Sequence, residues 1–297
     1  MYKSILVPLD GSEVAASVLP YVTNLAKRLG ANVTLLTVMA PARRAPLAAD
    51  TEVRAEAEAL VRQQAQHLRD SGVEAATVVV CGEPVQQIIG RGRDGGFDLI
   101  AIGTRGHSGI RRGLLGSVTD GVVRSSSVPV LVLSPKAVEA SAQPSYELVS
   151  VTVPLDGSDV AEGVLPYARD LAKQLSLEVR LLRVVSVSSI AYYSVDSGPV
   201  DTTPLEQELE EDANGYLSQV ADDLTQGGLT VTCVIDKGSS ALAIIDRLRS
   251  IQNNLVAICS HGRSGLGRLL IGSVADSIIR SAGVPVLVIT PGSSTSQ

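Results

Sequence analysis

Residues 5–38 read ILVPLDGSEVAASVLPYVTNLAKRLGANVTLLTV, and residues 151–184 read VTVPLDGSDVAEGVLPYARDLAKQLSLEVRLLRV. Twenty of these 34 positions are identical, at an offset of 146. Residues 103–133 (GTRGHSGIRRGLLGSVTDGVVRSSSVPVLVL) and 259–289 (CSHGRSGLGRLLIGSVADSIIRSAGVPVLVI) match at 16 of 31 positions, now at an offset of 156. The second copy therefore carries ten extra residues in its middle, within SVSSIAYYSVDSGPVDTTP after its second strand. A period this long is not that of a solenoid, whose repeats run to about 20–50 residues. It predicts two duplicated domains, 1–140 and 147–292, which also suits a length of 297 residues. The join falls near Lys136–Glu147, where AVEASAQPSYE is small and polar as a linker should be. The tail GSSTSQ after Pro291 is expected to be disordered.

With no Trp and a single Phe, Phe97, the interior must be filled by Val, Leu, Ile and Ala. That aliphatic bias suits parallel strands buried on both faces. The net charge of −6 excludes a basic footprint for nucleic acid or an anionic membrane, Lys and Arg being scattered apart from short local pairs such as Arg111–Arg112. Without a signal-type apolar run or an 18-residue apolar stretch, the expectation is a soluble cytoplasmic protein. Three cysteines, Cys81, Cys233 and Cys259, form no CxxC and no even framework, so each reads as a small buried hydrophobe. Of the histidines, His67 falls on a polar helix face, and none of the three has a neighbouring ligand set for zinc or iron.

Within the first copy, Ser4–Leu9 is a short apolar run that ends in Asp10-Gly11-Ser12 and predicts a buried strand and a turn. Ala15, Val18, Leu19, Val22, Leu25, Ala26 and Leu29 follow helical spacing. Pro20 lies inside that pattern, so the helix is kinked or starts late, and Gly30 stops it. Val33–Met39, Ala75–Val80, Asp98–Ile102 and Val128–Leu133 read as further strands. Thr51–Ser71, the stretch from Pro84 through Ile89, and Ser117–Ser125 read as helices. This alternation implies a parallel sheet with right-handed crossovers, and a ligand site beyond the carboxyl ends of its strands.

Gly103-x2-Gly106-x9-Gly116-Ser117 leaves a strand and enters a helix. Glycines let the backbone approach a bulky anion, and the helix N-terminus offers free N–H groups and a positive dipole end. The Ser117 hydroxyl adds a donor. The loop lacks the Walker lysine and is not a GxGxxG after the first strand. Plainer readings stand beside this one: Asp10 and Asp156 as helix N-caps, the glycine loop as a lid, and Arg112 and Arg268 as solvated loop residues instead of γ-phosphate ligands.

VPLDGS at the first strand, the G-x2-G-x9-G-S loop and the closing VPVLV strand occur in both halves, save that Cys259 replaces the first glycine of the second loop. In these features the chain resembles the universal stress protein family in its tandem form. The resemblance implies two Rossmann-like α/β domains of the adenine nucleotide alpha hydrolase-like type. Each would be a five-stranded parallel sheet of order 3-2-1-4-5 with helices on both faces. It implies ATP in members that keep the loop, and dimerisation through the last strand; Mg²⁺ is expected because it accompanies ATP phosphates. The two closing strands are then expected to pair within one chain, and two chains to form a homodimer. Carried onto this sequence, Pro8 and Val38 wall the adenine and ribose, and Asp10 lies near phosphates or metal. Gly103, Thr104, Arg105, Gly106, His107, Ser108, Gly109, Gly116, Ser117 and Val118 form the cradle. In the second copy Pro154, Asp156 and Val184 correspond, with Ser260, His261, Gly262, Arg263, Ser264, Gly265, Gly272, Ser273 and Val274 in the loop; Asp156 is its metal candidate. At Cys259 a Cβ and sulfur are expected to crowd the nucleotide or forbid the backbone angle. No nucleophile and general base pair off in the sequence. The leading expectation is therefore a nucleotide-dependent stress-response protein, with a slow ATPase or phosphotransferase and an interaction module with vestigial pockets as the alternatives.

Overall fold

A computed structural model describes residues 1–39, 47–104, 115–141, 147–186, 203–261 and 271–290. The first copy runs β1 (Ser4–Leu9), α1 (Glu13–Ala16), α2 (Leu19–Leu29), β2 (Asn32–Met39), α3 (Leu47–Asp70) and β3 (Ala75–Cys81). It continues through α4 (Pro84–Asp94), β4 (Leu99–Gly103), α5 (Ser117–Ser125) and β5 (Val130–Leu133). After α6 (Pro135–Ser141) the second copy repeats the order with β6 (Ser150–Pro154), α7 (Asp159–Glu162), α8 (Leu165–Leu175), β7 (Glu178–Val185) and α9 (Thr203–Gln226). It ends with β8 (Val231–Lys237), α10 (Ser240–Ser250), β9 (Asn254–Cys259), α11 (Ser273–Ser281) and β10 (Val286–Ile289).

All strands within a copy are parallel, in the expected order 3-2-1-4-5. The two sheets fuse where β5 and β10 pair antiparallel, giving one ten-stranded sheet of order β3-β2-β1-β4-β5-β10-β9-β6-β7-β8. The expected pairing of the closing strands within one chain is thus present. Val286 faces Val132, Leu287 faces Leu131 and Val288 faces Val130. At the offset of 156 this register maps onto itself about Leu131 and Leu287, so a pseudo-two-fold axis passes between them.

Side chains alternate across the sheet with period two. Ile5, Val7 and Leu9 enter a core shared with α1, α2, α3 and their second-copy counterparts, whereas Leu6 enters a core under α4, α5, α10 and α11. Each core contains residues of both copies. Polar contacts tie the seam on both faces. Tyr2 Oη donates to the Tyr167 carbonyl at 3.0 Å, and Arg28 donates to the carbonyls of Leu148 (3.1 Å) and Leu175 (2.8 Å). On the other face Arg124 binds Asp120 and Arg280 binds Asp276, both at 2.7 Å, and Arg280 lies 3.9 Å from Asp120 across the seam.

Of the two readings of Pro20, the late start holds: α1 stops at Ala16, and Pro20 sits in the first turn of α2, where its missing N–H costs nothing. Two other expectations change. The linker contains a helix, because Ser134 Oγ accepts from Ala137 N at 3.2 Å and Ala137 and Val138 are buried beside α2. Cys81 and Cys233 are exposed, since β3 and β8 are the sheet's outer edges; Cys259 alone is buried as expected. His67 is exposed on α3. Among the described residues no helix is long and apolar enough to cross a membrane. The tail after Pro291 and most of the ten-residue insertion fall outside the described residues.

Candidate functional site

The chain leaves β1 towards β2 on one side, while β4 lies on the other, so the sheet's switch point is at the carboxyl ends of β1 and β4. Crevices of this kind are where open α/β sheets place ligands. A cavity of about 230 Å³ opens there. Its walls are Pro8, Leu9 and Asp10 from the end of β1, Leu36 and Val38 from β2, and Pro84 and Ile88 from α4. Ile102 and Gly103 of β4 and Gly116, Ser117, Val118 and Thr119 at the start of α5 complete it. The second copy has a cavity of about 280 Å³ with the corresponding lining: Pro154, Leu155, Asp156, Leu182, Val184, Ser240, Ile244, Ile258 and Cys259, then Gly272, Ser273, Val274 and Ala275. His261 also lines it.

Local chemistry builds each wall. Gly11 turns the chain out of β1 at φ +83°, a conformation that costs a side-chain-bearing residue about 1–2 kcal/mol. Asp10 Oδ1 accepts from Ser12 N at 3.0 Å and from Ser12 Oγ at 2.6 Å, and Ser12 Oγ accepts from Ala15 N at 3.0 Å. Asp156, Ser158 and Ala161 repeat this at 3.0, 2.6 and 3.2 Å. The N-cap is therefore the serine; the aspartate braces it, which corrects the reading of Asp10 and Asp156 as caps.

The ends of the glycine loop are held together. Thr104 N donates to the Leu133 carbonyl at 3.0 Å, and Gly116 N donates to the Thr104 carbonyl at 2.8 Å. Ser260 and Gly272 make the same two bonds in the second copy, both at 2.8 Å. Helix α5 thus starts beside the end of β4. Its N-cap, Gly116, has no side chain to satisfy the first N–H groups, and Gly272 leaves α11 in the same condition. Those groups and the helix dipole face the cavities, as an anion site requires.

Thr104 and Ser260 are buried behind the cavities and do not line them. Arg105, Gly106, His107, Ser108, Gly109, Gly262, Arg263, Ser264, Gly265, Arg112 and Arg268 lie outside the described residues. Leu36, Pro84, Ile88, Ile102 and Thr119 line the first cavity without having been singled out in the sequence. The signal was available: Leu36, Ile88 and Ile102 are matched by Leu182, Ile244 and Ile258.

Gly103 and Cys259 occupy the same register, paired with Leu133 and Ile289 as the last residues of β4 and β9. Neither has positive φ, so cysteine meets no backbone objection there. Nor is the second cavity the smaller. One reason is that Ala275 stands where Thr119 donates from Oγ1 to the Gly103 carbonyl at 2.7 Å. Burial, and secondarily the nearby Asp156 carboxylate, push the Cys259 thiol up to about 12. Ser260 Oγ lies 2.9 Å from His261 Nδ1, and His261 Nε2 is buried with no partner among the described residues. Among those residues no group of three or more His, Cys, Asp or Glu side chains could hold a metal by itself.

The universal stress protein family model matches residues 1–134 and 150–290. The chain belongs to the universal stress protein family. It is 30% identical over 195 residues to universal stress protein Rv2005c of Mycobacterium tuberculosis, a match covering 64% of this chain and 61% of that relative's length. Bacillus subtilis YxiE, a universal stress protein, is 29% identical over 150 residues, covering 45% of this chain and 99% of YxiE. A crystal structure of a universal stress protein from Archaeoglobus fulgidus superposes with a TM-score of 0.74 at 26% identity, covering 98% of this chain and 100% of that one. The tandem α/β architecture is therefore that of the family.

Proposed function

We propose that this chain is an ATP-binding regulatory protein of the stress response, with one nucleotide site in each copy. The observation that supports the reading is the duplicated cavity in which an uncapped helix N-terminus faces an apolar slot. The phosphates sit at the start of α5 or α11, where N–H groups and the dipole favour negative charge. The base lies between the β2 and α4 side chains Leu36, Val38 and Ile88, or between Leu182, Val184 and Ile244. Asp10 and Asp156 approach a Mg²⁺ ion through water or phosphate, since the described residues offer no cluster of three or more metal-ligating side chains. Bound ATP shifts the chain between functional states by its differential affinity for them. A homodimer of chains belongs to the same proposal. It uses a surface other than the edges of β5 and β10, both of which are already paired.

Mass spectrometry of the nucleotide released from freshly purified, denatured protein is the direct test. Up to two ATP per chain are expected, together with a rise in melting temperature on adding Mg-ATP. At 100 times Kd the stabilisation per site is about 2.7 kcal/mol. Absence of both signals overturns the proposal.

A further inference from the structure

The first copy holds another cavity, of about 360 Å³, on the opposite side of the Leu9–Asp10 turn, between α1 and α3. Its volume falls within the ~300–1,000 Å³ usual for small-molecule sites. Three of its lining residues are Ala16, Thr37 and Leu60. The duplication shows what their second-copy counterparts do. Ala16 and Thr37 align with Glu162 and Arg183 at the offset of 146. Helices α3 and α9 are both 24 residues long, and at their offset of 156 Leu60 aligns with Tyr216. The three replacements form a closed cluster. The Arg183 guanidinium lies 4.8 Å from the Tyr216 ring centroid, and Tyr216 Oη donates to Glu162 Oε1 at 2.9 Å. Burial and the Glu162 carboxylate hold the Tyr216 phenol above its usual range. The second copy thus supplies an aromatic ring and a cation from its own side chains, and the first copy leaves their room open.

We propose that the first-copy cavity binds a small aromatic amine. The ring takes the place of the Tyr216 phenol against Leu60 and Val61. The ammonium takes the place of the Arg183 charge and meets the carboxylates of Asp10 and Glu13, which line the same cavity. Gln64, where the second copy has Val220, adds an amide partner for a ring hydroxyl. The site adjoins the first proposed nucleotide cavity, sharing Leu9 and Asp10 with it, but does not rest on its occupancy.

Titration of the full chain with tyramine, by calorimetry or saturation-transfer NMR, tests this. One saturable site per chain is expected. The triple variant Ala16→Glu/Thr37→Arg/Leu60→Tyr installs the second-copy cluster and should weaken binding at least tenfold. Leu60→Trp, a single change at a residue 41% exposed, should do the same by filling the space. It decides the matter if the triple variant does not fold. Absence of saturable binding, or Leu60→Trp binding tyramine as the parent chain does, overturns the proposal.

Discussion

At the scale of single residues, the Gly103 and Cys259 pair shows how one position carries two chemistries on one backbone. The sequence correctly marks the position as a difference between the copies, but it suggests strain that the extended strand removes. A buried thiol beside a carboxylate stays protonated and is a poor nucleophile. Native protein treated with iodoacetamide near pH 8 should therefore be alkylated at the exposed Cys81 and Cys233 before the buried Cys259. Peptide mass spectrometry checks this, and early modification of Cys259 contradicts it. The same shift has a consequence for stability. The folded pKa of about 12 lies above the ordinary value of 9.0, so folding favours the proton. The contribution is intact below pH 9.0 and fades as pH rises towards about 12. Urea midpoints across that window should fall more steeply for the parent chain than for Cys259→Ala.

At the scale of elements, most strands and helices were legible because short aliphatic runs alternate with helical periodicity and are punctuated by Gly and Pro. What escaped was α6, since AVEAS looks like linker until the burial of Ala137 and Val138 reveals a partner. Helix ends offer a sharper comparison. Helix α2 closes on Gly30 at φ +58°, but α8 closes on Ser176 at φ +55° in the same left-handed conformation. A residue with a Cβ pays roughly 1–2 kcal/mol there, offset in part by the greater chain entropy that glycine loses on folding. Ser176→Gly should therefore raise unfolding free energy by about 0.5–1 kcal/mol, measured by urea denaturation. Loss of stability would show that the Ser176 side chain contributes something the cap geometry does not include.

At the scale of the whole molecule, the seam decides the architecture. Leu131 and Leu287 face each other across the pseudo-two-fold axis, and each copy covers the other's otherwise open strand edge. An uncovered edge reading VLVL would invite pairing with another chain. Residues 1–140, the proposed limit of the first domain, should accordingly associate when expressed alone, with Leu131 of one copy facing Leu131 of its partner. Sedimentation equilibrium should report twice the fragment's mass; a stable monomer would contradict this and show that β5 needs no partner.

Duplication, the alternation of strands and helices within a copy and the glycine-serine start of α5 and α11 follow from the sequence by itself. They rest on local periodicity and on the matching of one half against the other, both of which are written along the chain. Only the tertiary structure decided the register at which β5 meets β10, that Asp10 and Asp156 brace serine caps, and that Ala16, Thr37 and Leu60 border a cavity their counterparts close. Those facts depend on contacts between residues far apart in sequence. Their distances and free volumes are fixed by packing, which no linear pattern encodes.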